Sequence, residues 1–148
     1  MSPGSNPIRV LVVCTGNSAR SIMAEALLRS KGGDDFEVHS AGTHPRGINP
    51  LTLRVLAESG IDASWARSKS VEEYLGQSFD YVITVCDDAD KNCPNFSGKV
   101  GKRVHIGFID PAAATGSEEH IMSVFRQVRD EIRQKFSEYY QNEIRKGL

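Results

Sequence analysis

The chain has 148 residues, which is enough for one domain whose hydrophobic core needs no disulfide support. Its 18 Lys and Arg residues and 19 Asp and Glu residues give a net charge of -1, so the charge indicates neither a nucleic-acid partner nor an acidic membrane surface. The longest apolar run is too short to span a bilayer, and no signal-peptide pattern precedes it. We therefore expect a cytoplasmic monomer with a flexible N-terminal tail over residues 1–7 and a single domain over residues 8–148.

Four short runs rich in β-forming residues predict strands, at residues 9–14, 37–41, 81–86 and 103–108. The first and third runs are almost continuously apolar, which is typical of central parallel strands covered on both faces.

Helix signals separate these strands. Residues 21–31 place apolar side chains on one side of a helix that stops at two glycines. Asn49 followed by Pro50 predicts a capped second helix. Thr115 and Glu118 have the spacing of a capping box, which predicts that a long amphipathic final helix begins there.

The alternation of strands and helices predicts an α/β fold, with a four-stranded parallel sheet of order 2-1-3-4 and helices on both faces. In such sheets, ligands bind beyond the carboxyl ends of the strands. Cys14 and Cys86 are predicted to end the first and third strands, which are neighbours in this order. The sequence therefore places two thiols at the ligand-binding edge.

The segment from Cys14 to Arg20 follows a predicted buried strand and leads into a predicted helix. Backbone N–H groups at such a position attract an oxyanion, and their positive field favours the thiolate form of a cysteine. Arg20 adds a planar fork suited to a tetrahedral oxyanion. The predicted anion-binding residues are Thr15, Gly16, Asn17, Ser18, Ala19, Arg20 and Ser21.

Two residues of this segment have more specific predicted roles. Asn17 is expected to hold the loop in shape, because Asn tolerates left-handed backbone and bonds neighbouring amides. Ser21 is positioned to donate a hydrogen bond to the thiolate of Cys14. The simpler alternative is a buried cysteine at the end of a core strand with Arg20 on the surface, but the whole pattern favours a nucleophile.

Asp110 and Pro111 follow the fourth predicted strand, so they lie at the same edge of the sheet. A carboxyl group there can act as a general acid for a departing oxygen. The alternative is an ordinary turn, because Asp and Pro are both turn residues.

Cys86 and Cys93 complete the three cysteines of the chain. An odd count without a secretory pattern favours reactive thiols over structural pairing. Neighbouring strands lie about 4.8 Å apart, so Cys14 and Cys86 could fall within the distance range of a disulfide. If residues 88–92 form a helical turn, it must unwind before Cys86 and Cys93 can join, since seven helical positions span about 10 Å. The alternative is two unrelated thiols.

The run from Cys14 to Ser21, Cys-Thr-Gly-Asn-Ser-Ala-Arg-Ser, with the late Asp-Pro pair resembles the low-molecular-weight protein tyrosine phosphatases. With its two further cysteines, the chain resembles the thioredoxin-coupled arsenate reductases, which share that fold. This resemblance implies reduction of arsenate to arsenite in arsenic detoxification, with electrons from thioredoxin and no bound cofactor. Phosphate and sulfate are the expected competing anions.

The resemblance also implies a role for each site residue. Cys14 attacks arsenate, which Arg20 binds, while Asp110 protonates the departing oxygen. Cys86 then forms a disulfide with Cys14 as arsenite leaves. Cys93 finally attacks Cys86, and thioredoxin reduces the resulting disulfide.

The resemblance further concerns a cation beside the loop. Members that bind potassium there use an asparagine, a glutamate, a serine and an aspartate. The first three match Asn17, Glu25 and Ser40, whereas the fourth position holds Lys69. We expect no metal and hypothesise that the Lys69 ammonium supplies the positive charge; the alternative is a solvated lysine.

Two other functions stay open at this point. One is a low-molecular-weight phosphatase, although residues 112–114 are alanines where that family commonly has tyrosines after the acid. A weak phosphatase side activity is compatible with the reductase as well. The other is a non-enzymatic redox or anion sensor. The final reductant is also open, although a third cysteine favours thioredoxin over glutaredoxin.

Overall fold

The computed structural model describes residues 7–32, 36–86 and 99–144. Its strands are β1, Ile8–Cys14; β2, Phe36–Gly42; β3, Ser78–Thr84; and β4, Lys99–His105. Its α-helices are α1, Arg20–Gly32; α2, Pro50–Glu58; and α3, Glu118–Tyr139, which continues as a π-helical turn over Tyr140–Ile144. Short 3-10 helices occupy Val71–Tyr74 and Pro111–Ala113. No helix in the described ranges has the length and apolarity needed to cross a bilayer.

The four strands form one parallel sheet in the order β2-β1-β3-β4, which confirms the predicted fold class. β1 pairs with β2 along its whole length, from Ile8 opposite Phe36 to Cys14 opposite Gly42. On its other side, Val13 lies opposite Thr84 of β3. Because all strands run the same way, the loops after them gather at one edge of the sheet.

Alternate residues of β1 face two separate hydrophobic clusters. Val10, Val12 and Cys14 belong to the larger cluster, in which α1, α2 and α3 pack against one face of the sheet. Leu11 and Val13 belong to the smaller cluster on the opposite face, which includes Tyr74 of the first 3-10 helix. All of these β1 side chains are nearly inaccessible to solvent, which explains the continuous apolar run of this strand.

The cap of α2 is confirmed, but the predicted cap of α3 is wrong. The side chain of Asn49 accepts a hydrogen bond from Leu51 N, and Pro50 occupies the first helical position. In α3 the N-cap is Ser117, whose hydroxyl accepts from His120 N at 3.1 Å. Gly116 has φ of 114°, outside the helical region, so a helix capped at residue 115 cannot pass through it.

The third and fourth strands end earlier than predicted. β3 ends at Thr84, so Cys86 lies two residues beyond the strand, although Val85 N still bonds Val13 O. β4 begins at Lys99 and ends at His105, so Asp110 lies in the following loop. The polar start of β4 concealed the strand because an exposed edge strand does not require apolar residues.

An exposed cluster joins α2 to α3. Glu58 accepts two hydrogen bonds from the Arg126 guanidinium, at 2.8 and 2.9 Å, and one from Arg129 at 3.1 Å. Hydrogen bonding from Arg126 is the main cause that lowers the pKa of Glu58 from 4.5 to about 2. A carboxyl group with a depressed pKa stabilises the folded state above its unfolded pKa, and this contribution is lost as the pH falls through the folded pKa.

We therefore expect Glu58→Gln to unfold at a lower temperature than the wild type at pH 7, with a difference that shrinks between pH 4.5 and about 2. Thermal unfolding followed by circular dichroism across this range measures the difference. In an Arg126→Ala background, the same substitution should have a much smaller effect. A difference that is independent of pH would contradict the assigned role of Glu58.

Candidate active site

Cys14 is the last residue of β1 and is 2% exposed, with a free thiol. Five residues separate it from Arg20, the first residue of α1. The predicted strand-loop-helix unit is thus confirmed, and its loop lies at the edge of the sheet where ligands bind. We call residues 14–20 the cysteine loop.

Three carbonyl groups of the cysteine loop are directed outward, because a second segment binds them. We call this second segment, residues 43–49 after β2, the bracing loop. Its backbone N–H groups donate to three carbonyls: His44 to Thr15 O at 2.9 Å, Arg46 to Gly16 O at 3.0 Å and Asn49 to Ser18 O at 3.2 Å. Thr52 Oγ1 also donates to Ser18 O, at 3.0 Å.

In a planar trans peptide, N–H and C=O point in opposite directions. The amides that follow the braced carbonyls, those of Gly16, Asn17 and Ala19, therefore point inward. Asn17 N indeed donates to Cys14 Sγ at 3.3 Å. Inward amides in front of a thiol are an arrangement that can bind an oxyanion, and we call this arrangement the cradle.

Asn17 is the central residue of the cysteine loop. Its φ of 45° is the only positive value at a non-glycine residue in the described ranges, as expected for a residue that tolerates left-handed backbone. Its side-chain nitrogen donates to Ser21 Oγ at 2.7 Å and to Ser40 Oγ at 2.9 Å. Its side-chain oxygen accepts from Lys69 N at 2.8 Å.

These contacts favour Ser21 as the donor in its hydrogen bond with Cys14. Ser21 Oγ lies 2.9 Å from Cys14 Sγ. Because Ser21 Oγ already accepts from Asn17, its own proton is available to the sulfur. Ser21 Oγ and Asn17 N are therefore both placed to donate to the sulfur of Cys14.

Thr15 and Ala19, two other predicted anion-binding residues, differ in their contacts. Thr15 Oγ1 is buried and has no hydrogen-bond partner among the described residues. Ala19 is 3% exposed, and its carbonyl accepts from Met23 N in the first turn of α1. Ala19 thus ties the cysteine loop to the helix, while the unpaired Thr15 hydroxyl can bond a ligand.

Arg20 and Asp110 lie together at this edge. Arg20 is 2% exposed, donates to Phe108 O at 3.1 Å, and has Nη2 3.7 Å from Asp110 Oδ2. Asp110 Oδ1 accepts from Ala112 N at 3.0 Å, so this oxygen caps the 3-10 helix. Asp110 is therefore both a turn residue and a carboxylate beside Arg20.

Cys86 lies beside β1, the strand that ends in Cys14. It is fully buried and belongs to the same hydrophobic cluster as Cys14. In this structure Cys86 is in a disulfide that does not include Cys14, which is a free thiol. Cys93 and the predicted helical turn at residues 88–92 lie outside the described residues.

Glu25, Ser40 and Lys69 form a buried cluster behind Asn17. Ser40 Oγ donates to Glu25 Oε1 at 2.5 Å, and Lys69 Nζ lies 3.8 Å from the same oxygen. Arg29 donates to the other oxygen, Glu25 Oε2, at 2.9 Å. Burial is the main cause that lowers the pKa of Lys69, and the charge of Glu25 opposes it.

The contacts of this cluster show whether a potassium ion could be bound beside the cysteine loop. Lys69 is 6% exposed and is therefore not a solvated surface lysine. Both oxygens of Glu25 already face a cationic side chain, and the Asn17 side-chain oxygen is bonded to the backbone. The donor set therefore does not fit an additional potassium ion. No group of three or more His, Cys, Asp or Glu residues in the described ranges is placed to hold a metal ion.

The bracing loop and Arg46 were not predicted from the sequence. Arg46 Nη2 lies 3.7 Å from Asp110 Oδ2, the oxygen that also faces Arg20. The signal available in the sequence was topological. Because β2 is a neighbour of β1, the loop after β2 must emerge at the same edge as the cysteine loop.

The comparisons with known proteins agree with this geometry. Residues 9–147 match the family described as low molecular weight phosphotyrosine protein phosphatase. The chain is 43% identical over 123 residues to an arsenate reductase of Halalkalibacterium halodurans, a match that covers 83% of this chain and 88% of that protein.

Two solved structures are also similar. One is an arsenate reductase in the phosphate binding state, with a TM-score of 0.74, 26% identity, and coverage of 88% of this chain and 95% of that chain. The other is a Corynebacterium glutamicum thioredoxin-dependent arsenate reductase, with a TM-score of 0.61 and 29% identity. This second match covers 95% of this chain and 65% of that chain.

A parallel α/β domain with a cysteine loop and a facing arginine defines a phosphatase-type fold and site. The chain belongs to the low molecular weight phosphotyrosine protein phosphatase family. Within that family, the relative and the two solved structures described above are named arsenate reductases, which confirms the resemblance seen in the sequence.

We expect Ser21→Ala to slow the alkylation of Cys14 at neutral pH, because the thiolate loses its hydroxyl donor. A hydrogen bond to a charged group contributes about 1.5–3 kcal/mol, so the rate should fall about ten-fold or more. The measurement is the iodoacetamide reaction of the reduced protein, with the Cys14 peptide quantified by mass spectrometry. Ser30→Ala is the matched control, since Ser30 lies on the same helix and bonds Leu27 O. Equal rates for both variants would contradict the role of Ser21.

Proposed function

We propose that this protein is an arsenate reductase that forms arsenite through a three-cysteine relay coupled to thioredoxin. The observation that supports this most directly is the position of Cys86. It lies beside β1, which ends in Cys14, and both cysteines belong to the same buried cluster. Hydrolysis of a phosphate ester needs no such thiol. The names of similar proteins, arsenate reductase and thioredoxin-dependent arsenate reductase, agree with the proposal.

In the proposed first step, arsenate binds to the inward amides of the cysteine loop and to Arg20. The Cys14 thiolate attacks arsenic, and a sulfur–arsenic bond forms as one oxygen departs. Asp110 gives this oxygen a proton, so that water leaves. The short contacts of Cys14 with Ser21 and with Asn17 N support a thiolate nucleophile.

In the second step, the Cys86 thiolate attacks the sulfur of Cys14. The new sulfur–sulfur bond forms as the sulfur–arsenic bond breaks, and its electron pair goes to arsenic, which leaves as arsenite. Arsenic gains two electrons and the two thiols lose two. Cys93 then attacks Cys86 and frees Cys14, and the dithiol of thioredoxin reduces the remaining disulfide. A Cys86 disulfide that excludes Cys14 is compatible with the last stage of this relay.

We also propose that Lys69 replaces a bound cation in this enzyme. Its ammonium group lies beside Glu25 in the cluster that orients Asn17, and the Asn17 side chain in turn orients Ser21. A positive charge at this position compensates the buried carboxylate without a metal ion.

A phosphatase acting on phosphotyrosine or a small phosphate ester is the second candidate, and the family match favours it. The residues after Asp110 argue against it as the main activity. Pro111–Ala113 form a 3-10 helix with exposed Ala112 and Ala113, so no aromatic side chain there can stack on an aryl substrate.

Cys93→Ser separates the two functions. Arsenate-dependent NADPH oxidation with thioredoxin and thioredoxin reductase should stop after a single turnover, because the Cys14–Cys86 disulfide can no longer be resolved. Aryl phosphate hydrolysis, however weak, should continue at the wild-type rate, because it requires only the cysteine loop. Sustained arsenate turnover in Cys93→Ser would remove the relay from consideration.

The wild-type protein provides the control for this experiment. Steady arsenite production excludes a non-enzymatic sensor, whereas phosphate ester hydrolysis without arsenate reduction supports the phosphatase. Replacement of thioredoxin by glutaredoxin and glutathione in the same assay tests the proposed reductant.

Potassium should leave kcat/KM for arsenate unchanged, since Lys69 already faces Glu25. Steady-state rates in potassium and sodium chloride at equal ionic strength test this expectation. Lys69→Met should lower kcat/KM, because Glu25 loses one of its cationic neighbours. A marked activation of the wild type by potassium would show that Lys69 does not take the place of the ion.

A further inference from the structure

Arg46 of the bracing loop lies directly over the cysteine loop. A Cβ atom built on Gly16 would come within 2.5 Å of Arg46 Nε and 2.7 Å of Arg46 Nη2. The backbone of Gly16 is not in the left-handed region, so its conformation does not require glycine. The absent side chain instead leaves room for the Arg46 guanidinium against the backbone of the anion cradle.

The backbone of Arg46 is held in place, whereas the end of its side chain is exposed and weakly bound. Arg46 N donates to Gly16 O at 3.0 Å, which ties the residue to the cradle. The side chain is 57% exposed, and its only ion-pair partner in the described ranges is Asp110, at 3.7 Å. A distance of 3.7 Å in an exposed pair is a weak interaction that a better anion can replace.

Asp110 Oδ2 therefore faces two guanidinium groups, Arg20 on the buried side and Arg46 on the solvent side, each at 3.7 Å. In the absence of substrate, one carboxylate is shared by two cations. An arsenate or phosphate dianion in the cradle adds two negative charges beside the Cys14 thiolate. Arg20 alone cannot balance these charges, and Arg46 supplies a second guanidinium at this edge.

We propose that Arg46 is a second oxyanion-binding residue, which exchanges its ion pair with Asp110 for contacts with the bound inorganic oxyanion. This inference rests on the proposed function, because it extends the same anion site. After the exchange, Arg46 contacts the anion from its solvent-facing side, opposite the amides of the cradle. It also frees Asp110 from one of its two cations, so that its carboxyl group can face the departing oxygen.

The test measures anion binding at Cys14 without requiring turnover. Reduced protein is alkylated with iodoacetamide in increasing concentrations of inorganic phosphate, and mass spectrometry follows the Cys14 peptide. The phosphate concentration that halves the alkylation rate should rise about five-fold in Arg46→Ala, the scale of one partly exposed charge-assisted contact. Arg46→Lys keeps the charge and should recover part of the loss.

Arg54→Ala is the matched control. Arg54 is 59% exposed, lies on α2 and faces Glu118 at 3.6 Å. Its replacement by alanine therefore removes one positive charge, as Arg46→Ala does, but at a position away from the cradle. It should leave phosphate protection unchanged. An equal shift in Arg54→Ala, no shift in Arg46→Ala, or no recovery in Arg46→Lys would each overturn the proposal.

A parallel assay distinguishes this inference from the proposed function. If arsenate is reduced, Arg46→Ala should raise KM for arsenate about as much as it weakens phosphate protection, with little change in kcat. If the wild type reduces no arsenate, the proposed function fails, while phosphate protection still decides whether Arg46 binds the oxyanion.

Discussion

The rest of the site depends on the hydrogen bonds of the Asn17 side chain. It donates to Ser21 and Ser40 and accepts from Lys69 N, so three separate segments are joined through one amide group. Each buried hydrogen bond contributes about 0.5–1.5 kcal/mol, against about 1–2 kcal/mol for the left-handed backbone of a non-glycine residue. The three bonds together offset this cost and keep the loop amides directed at Cys14. Without them, the cradle would lose both its shape and the orientation of the Ser21 proton.

The buried carboxylate of Glu25, behind Asn17, is also stabilised by several hydrogen bonds and ion pairs. Glu25 is inaccessible to solvent, and an unpaired carboxylate in that position would cost several kcal/mol. Ser40, Lys69 and Arg29 satisfy it, and Ser40 also accepts from Asn17. Cys14 is thus connected to a charged cluster by the hydrogen bonds that link Ser21, Asn17 and Ser40. A change of charge in that cluster can therefore act on Cys14 through orientation and not only through the electrostatic field.

The centre of this site was predictable from the sequence because its residues belong to one short segment. The residues around it come from separate loops and were not predictable. Cys14, Asn17 and Ser21 lie within one strand-loop-helix unit, so spacing alone brings them together. The sheet order followed from the alternation of apolar runs with helices. Arg46 was missed because its contact with Asp110 joins two exposed loops, which have no hydrophobic pattern. The strand β4 was misplaced for a related reason, since edge positions tolerate Lys99 and Lys102 where a central strand would not.

The relation between Cys14 and Cys86 depends on strand register more than on loop sequence. Val13 lies opposite Thr84, and the backbone bond from Val85 N to Val13 O extends the alignment past the end of β3. This alignment places Cys86 in the same buried cluster as Cys14. A slip of one residue would exchange the faces of β3, so that Ile83 would leave the larger cluster and Phe79 and Val82 would leave the smaller one. The burial of the sheet core therefore fixes the position of the second thiol, so the arrangement that the proposed relay requires is held by the same interactions that stabilise the fold.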